Sequence, residues 1–341
     1  MRHVAEIDPR TWLQIQELIR EARYESVAQF IAVAIQNQIQ LEVPSIERVE
    51  TDVLGAAGPE KVQGSGLSAD VSLKAPTEEP FLVQTRGEQS DEVIWGLYNR
   101  IFPVKITVRV LARLLVGKGS KSIELKALRE EAVLQARTLG KQLLLTDRSR
   151  KSGRGERLAT GLPVRRGEKS LDRFKNMFVG AMSGQGRVDG FPAALGFVLL
   201  QRVGGRVEVS LTSAGFKFAN LKNAVLDDSV EQAEGTLSVA ESDFFMTHIR
   251  RVLPHEWELC HTIIESIPDG SDTPAAVDQI IRRALPGLNP SMVAPTRAGI
   301  ISRLEELGLV QRRQDGLRVS YALTKRGESF LESAQGVTAA R

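Results

Sequence analysis

Laid over itself at an offset of 112 residues, the sequence matches without a gap along 195–218 and 307–330. Leu195, Gly196, Val198, Gly204, Arg206, Val207, Leu211, Thr212, Gly215 and Phe218 coincide with Leu307, Gly308, Val310, Gly316, Arg318, Val319, Leu323, Thr324, Gly327 and Phe330. Ten identities in 24 positions, placed at glycines and apolar residues, exceed what composition supplies, so the chain carries two copies of one supersecondary module. The later copy shows what the module is. A helix ends at Arg303-Leu304-Glu305-Glu306-Leu307, Gly308 offers the left-handed cap, and Leu309-Val310 opens a strand. Gln314-Asp315-Gly316 signals a tight hairpin, Val319, Tyr321 and Leu323 alternate along the returning strand, and Thr324 caps a closing helix.

Helix, two-stranded hairpin and closing helix, preceded by two helices, resemble the winged helix-turn-helix family of transcription regulators over about 254–335. The resemblance implies a recognition helix, here Thr296 to Leu307, lying in the DNA major groove, with Arg297, Ser302 and Arg303 as readers. It also implies that Arg312, Arg313 and Arg318 on the wing meet phosphates or the minor groove, a task that needs charge and reach more than fixed geometry. On this reading, replacing Arg303 would relax base discrimination and leave stability intact. The alternative is a solvated edge hairpin whose charges prevent aggregation.

The earlier copy departs where reading would occur. Opposite the recognition helix stands Gly184-Gln185-Gly186-Arg187-Val188-Asp189-Gly190-Phe191-Pro192, which cannot form a continuous helix. Upstream, an aperiodic stretch from Asp147 to Lys169 holds Arg150, Lys151, Arg154, Arg165 and Arg166. It reads either as a nonspecific phosphate grip or as a solvated insertion. Strong helical spacing covers Ile106–Val116, Leu125–Leu145 and Leu171–Met182 before the repeat. Further helices are expected near Ser242–Val252, Glu256–Ile267 and Ala275–Ala284.

At the N-terminus, His3–Ile7 is β-compatible and Asp8-Pro9 starts a helix with Trp12, Ile15, Ile19 and Ala22 on one stripe. Ser26 caps a second helix carrying Val27, Phe30, Ile31, Ala34 and Ile35. This strand-helix-helix resembles the ribbon-helix-helix family of dimeric repressors, which implies a homodimer through 1–41. Arg2, Val4 and Glu6 would face the groove, unless the ribbon serves only to dimerise. From Glu42 to Glu92 the chain holds eleven acids against four bases, with Gly, Pro and Ser breakers, and 43–92 reads as an acidic flexible linker that a short strand at Phe81-Leu82-Val83 interrupts. That segment carries −7, so the rest carries +10 within a total of +3.

The expected fold is therefore mainly α with small β-wings. It comprises a ribbon-helix-helix-like dimerisation segment (1–42), the linker (43–92), a divergent winged-helix domain with a basic loop (93–240) and a second winged-helix domain (241–341). A single cysteine, Cys260, excludes an intrachain disulfide and a four-cysteine metal site. No apolar run reaches membrane-spanning length and the start lacks the order of a secretion signal, so a cytoplasmic protein is expected. His248, His255, Cys260 and His261 miss metal-ligand spacing, and Gly117–Ser122 lacks the glycine spacing of a phosphate loop, so neither a metal nor a cofactor is expected. No acid/base pair stands out. The sequence points to a non-enzymatic, sequence-specific binder of double-stranded DNA, or else to a protein-protein adaptor within a nucleic-acid-handling complex for defence or partition.

Overall fold

The computed structural model describes residues 73–83, 93–152, 157–164, 167–228, 230, 233–315 and 318–338, with side chains to 333, together with Trp12 and Gln16, which are helical and exposed. The other residues expected to form the ribbon-helix-helix-like segment, and with them the homodimer through 1–41, lie outside the described residues. The chain divides into two compact units, 1–68 and 69–341. The second unit is mainly helical with small antiparallel sheets. Among the described residues no helix is long and apolar enough to cross a membrane.

Helix α1 (Phe102–Lys118) is the axis of the first half of this unit, buried along most of its length. A helix that is apolar on every side has to be surrounded, and its few polar residues have to be satisfied internally. Lys105 Nζ reaches the carbonyls of Phe218 (2.5 Å) and Leu221 (2.7 Å) and the Glu241 carboxylate (2.7 Å). Burial pulls its ammonium down to about 8 although Glu241 opposes this. Arg109 donates to the carbonyls of Ala219, Leu73 and Leu221 and forks onto both oxygens of Asp227 at 2.7 and 2.6 Å. Around α1 stand β1 (Ile123–Glu124), α2 (Leu125–Arg150), α3 (Glu168–Phe174) with its π-helical extension Lys175–Val179, the hairpin β2 (Ala181–Met182) and β3 (Val188–Asp189), and the short α4 (Phe191–Ala194). The hairpin β4 (Val198–Val203) and β5 (Arg206–Leu211) joins β1 in a sheet of order β1-β5-β4, closed by α5 (Ser213–Asn220) and α6 (Ala224–Asp227).

The second half runs through α7 (Val239–Val252), α8 (Pro254–Ser266), α9 (Pro274–Ala284) and α10 (Pro290–Glu306) to the hairpin β6 (Val310–Asp315) and β7 (Arg318–Leu323), then α11 (Lys325–Thr338). The two copies of the repeat share their joints. The pairs from Val198↔Leu211 to Val203↔Arg206 recur, 112 residues on, as Val310↔Leu323 to Asp315↔Arg318. Gly196 and Gly308 take φ of +65° and +70°, the left-handed region that L residues avoid. Thr212 Oγ1 donates to the Gly196 carbonyl (2.8 Å) and accepts from the Gly215 amide (3.1 Å); Thr324 Oγ1 does the same with Gly308 (2.5 Å) and Gly327 (3.0 Å). Where β1 pairs Ile123 with Val209, the equivalent Tyr321 amide donates to the Asp272 carbonyl at 2.8 Å, so the second copy keeps one bond of the third strand.

Three expectations need correction. The segment 43–92 is not linker throughout: Leu73 is buried with its carbonyl on Arg109, and Val83 pairs with Thr212 in parallel while its amide donates to Leu211. Arg109 offers more donors than its own helix neighbourhood can use, and the extra acceptor is the Leu73 carbonyl, in an irregular segment far along the chain. The boundary at 240/241 does not separate two bodies, since 69–341 is one unit. There α7 caps the first copy, with His248 stacked on Phe244 and its Nε2 donating to the Leu195 carbonyl at 2.7 Å. Finally, α10 begins at Pro290 under an Asn289 cap, more than a turn before Thr296, and carries Pro295 inside it. Burial of Val293, Ile300 and Leu304 outweighs the one backbone bond that Pro295 removes.

A Cβ at Gly215 or Gly327 would run into the carbonyl oxygen of Phe197 or Leu309, so glycine is required at both. Gly215→Ala and Gly327→Ala are each expected to lose about 1–3 kcal/mol in urea unfolding, the usual cost of overpacking; an unchanged midpoint would contradict the shared joint. Burial also lowers the pKa of His248, with Arg251 adding to it, so the unfolded chain takes up a proton first as pH falls. Stability should therefore decline as pH drops below His248's unfolded value of about 6.5, and His248→Gln should flatten that part of the profile.

Candidate nucleic-acid interface

In β6 every residue after the buried Val310 is exposed, because only the hairpin's base packs on the core. Arg312 and Arg313 stand on this outer part, facing Tyr321 and Ser320 across the ladder, and Arg318 begins the returning strand. Among the described residues none of these three guanidinium groups enters an ion pair with a carboxylate. The Arg312 amide is held by Glu305 Oε1 at 3.1 Å, which fixes the strand and leaves the side chain outward. Burial raises the Tyr321 hydroxyl above its usual range, against the pull of Arg297 and Arg312.

Helix α10 does not present the expected readers. Arg303 is 1% exposed and cannot reach a base: Nη2 pairs with Glu256 Oε1 at 2.5 Å and Nη1 donates to the Tyr98 carbonyl at 2.8 Å. Glu256 in turn accepts from the Ile94 amide at 3.0 Å. One turn on, the Glu306 carboxylate takes the amides of Ile101 (2.5 Å) and Phe102 (3.0 Å), capping the start of α1. Burial pushes its pKa up, and Arg100 and these donors resist. Gly96 and Gly299 meet backbone to backbone, and a Cβ on Gly299 would strike the Gly96 carbonyl. The segment before α1 thus covers one flank of α10. Arg297 is tied to Asp278 Oδ2 (2.9 Å) and the Pro274 carbonyl (3.1 Å), with a fifth of its side chain exposed. Ser302 alone of the three is neither buried nor paired in an ion bridge, and the outward strip of α10 reads Ser291, Ala294, Ala298, Ser302 and Glu305.

The basic stretch is more ordered than composition indicated. Its middle, 157–164, packs on the core through Leu158, Ala159 and Leu162, and both oxygens of buried Asp147 accept the amides of Leu158 (2.9 Å) and Ala159 (3.0 Å). Arg150 is exposed yet donates to the carbonyls of Ala233 (2.6 Å) and Val230 (3.0 Å), so it acts as a staple between loops. Lys151 is exposed and takes the left-handed cap of α2, with φ of 54°. Arg154, Arg165 and Arg166 lie outside the described residues. Sequence reasoning missed Arg206, although it is the repeat mate of Arg318, and also the exposed Arg187 and Arg202 close to it in the fold.

The histidine and cysteine residues diverge. His248 serves Leu195, His261 faces Glu265 at 3.2 Å and stacks on Trp257, and Cys260 lies 3.5 Å from Glu256 with its thiol pushed well up by burial. Among the described residues no three potential ligands gather around a point.

Because removing one partner of a buried pair strands the other, Arg303→Ala is expected to destabilise the protein by about 3–5 kcal/mol. Arg312→Ala is expected to stay within roughly 0.5 kcal/mol. Equal and small losses in thermal unfolding would return Arg303 to the surface. No protein family, curated protein or solved structure matches the chain, so its own geometry has to carry any functional reading.

Proposed function

We propose that the chain is a non-enzymatic, cytoplasmic protein that binds double-stranded DNA through two winged-helix modules fused into one body. The observation that carries this reading is the repeated hairpin with its register preserved and, in the second copy, Arg312, Arg313 and Arg318 exposed without a carboxylate partner among the described residues. Cations on an ordered strand edge meet phosphates with little conformational loss, and each contact releases condensed counterions. The resemblance of the 1–42 sequence to a ribbon-helix-helix implies a homodimer, with the ribbon either facing the groove or serving only to dimerise. A regulator of transcription follows if that N-terminal segment gives sequence preference.

A second reading has its own support. The partly exposed Arg297 of α10 is tied to Asp278, Arg303 is buried, and one flank of the helix is covered by the segment at Ile94–Phe102. A winged helix whose recognition helix is neutral suits docking to another protein inside a nucleic-acid complex.

Arg312→Ala with Arg313→Ala in the full chain separates the two. On the DNA reading, affinity falls about equally on all sequences, and the slope of log affinity against log salt decreases by roughly one per lost contact. The thermal midpoint holds, since exposed charges add little to stability. An unchanged slope removes the C-terminal hairpin as the DNA surface and favours the adaptor.

A further inference from the structure

Where the second copy has α10, the first has the π-helical turn, the β2–β3 hairpin and the four-residue α4. Its chain path is fixed from below: a Cβ on Gly190 would strike Gly180, Tyr98 stacks on Phe191 at 5.2 Å between centroids, and the Tyr98 hydroxyl both bonds Asp189 and accepts the Gly190 amide at 3.0 Å. What this foundation holds up is a tip, 183–189, exposed at every residue. The tip is closed on itself, since the Ser183 amide donates to the Arg187 carbonyl (2.9 Å) and the Arg187 amide to Ser183 Oγ (3.1 Å). It is also joined to the neighbouring hairpin: Arg202 Nη2 on β4 donates to the Ser183 carbonyl at 3.0 Å.

Two hairpin tips are therefore joined through Arg202, one bearing Arg187 and the other Arg206, which rises from the ladder face opposite to Arg202. The second tip turns through Gly204 and Gly205 at φ of 55° and 82°, and Gly186 in the first at 83°. A Cβ at any of these glycines, or at Gly184, meets nothing within 4 Å, so neither turn packs on the body. Two acids on these hairpins are occupied, Asp189 by Tyr98 and Gly190 and Glu208 by the Ser122 hydroxyl, while Glu124, opposite Glu208 on β1, is exposed. Arg187 and Arg206 make no ion pair with a described residue. Bare glycine turns admit close approach of a phosphate to backbone amides, and the flanking guanidinium groups supply charge.

We propose that the first module grips the phosphates of a DNA duplex with this pair of hairpins in place of a helix, through Arg187 and Arg206, Arg202 tying one hairpin to the other. This rests on the DNA-binding reading above and adds to it a second, sequence-independent contact surface. Val203, opposite Arg206 in the ladder and 49% exposed, rises from the same face as that arginine.

The test uses the full chain and a labelled random-sequence duplex, titrated at several NaCl concentrations. Arg187→Ala with Arg206→Ala should weaken binding on every duplex and lower the salt slope by roughly two, while Arg187→Lys with Arg206→Lys largely restores both. Circular dichroism melting should be unchanged, because neither side chain is part of the packed foundation. If the wild type binds, the β6–β7 double mutant loses slope and this double mutant does not, the hairpin pair is overturned and the DNA reading stands. If the wild type shows no salt-dependent affinity for the duplex, both fall.

Discussion

Arg303 and Glu306, one turn apart at the end of α10, determine how the second half of the protein meets the first. Arg303 is neutralised by Glu256 and held to the Tyr98 carbonyl, while Glu306 receives the first free amides of α1. A guanidinium and a carboxylate taken out of water need partners. Glu256 on α8 supplies the counter-charge, and the Tyr98 carbonyl with the Ile101 and Phe102 amides comes from the segment that leads into the other half, so that of these groups only Arg303 Nε lacks a bond among the described residues. Backbone contact between Gly96 and Gly299 brings that segment close enough for these bonds to form. The same arrangement that joins the halves removes α10 from the role its sequence indicated. The first half is secured by the same means. Lys105 and Arg109 inside α1 grip the carboxyl end of α5, where unpaired carbonyls gather, and Arg109 ties down the irregular segment at Leu73.

How much of this could be read from the sequence differs from element to element. The 112-residue repeat predicted hairpin register, the left-handed glycines and the threonine caps, because each identity marks a backbone requirement that no other residue meets equally well. The failure of Gly184–Pro192 to be helical was legible for the same reason. The burial of Arg303 was not. An arginine on a helix face beside Ser302 looks solvated, and its partner Glu256 is 47 residues away on another helix. Leu73 was hidden for a related reason, since acidic, breaker-rich neighbours mask a residue whose anchor, Arg109, lies far along the chain, whereas the strand character of Val83 was legible and only its partner Thr212 was not.

The candidate site shifts accordingly. Of the arginines expected to face DNA in the C-terminal module, those on the hairpin stay outward and the two on α10 are drawn into pairs with Glu256 and Asp278. Charge thus remains at β-tips, where long side chains swing freely, and leaves the helix, where fixed geometry would have read bases. Such a distribution favours backbone contact over base readout.

Hairpins, and not α10, are the surface proposed to meet a duplex. Hydrogen exchange of the full chain with and without a saturating random-sequence duplex tests this most directly. Slowed exchange is expected in the backbone around 183–187, 202–206 and 311–318, with α10 and the Ile94–Phe102 segment unchanged. Slowing confined to α10, or faster exchange at Ile94–Phe102 as the helix is released to enter a groove, would contradict it.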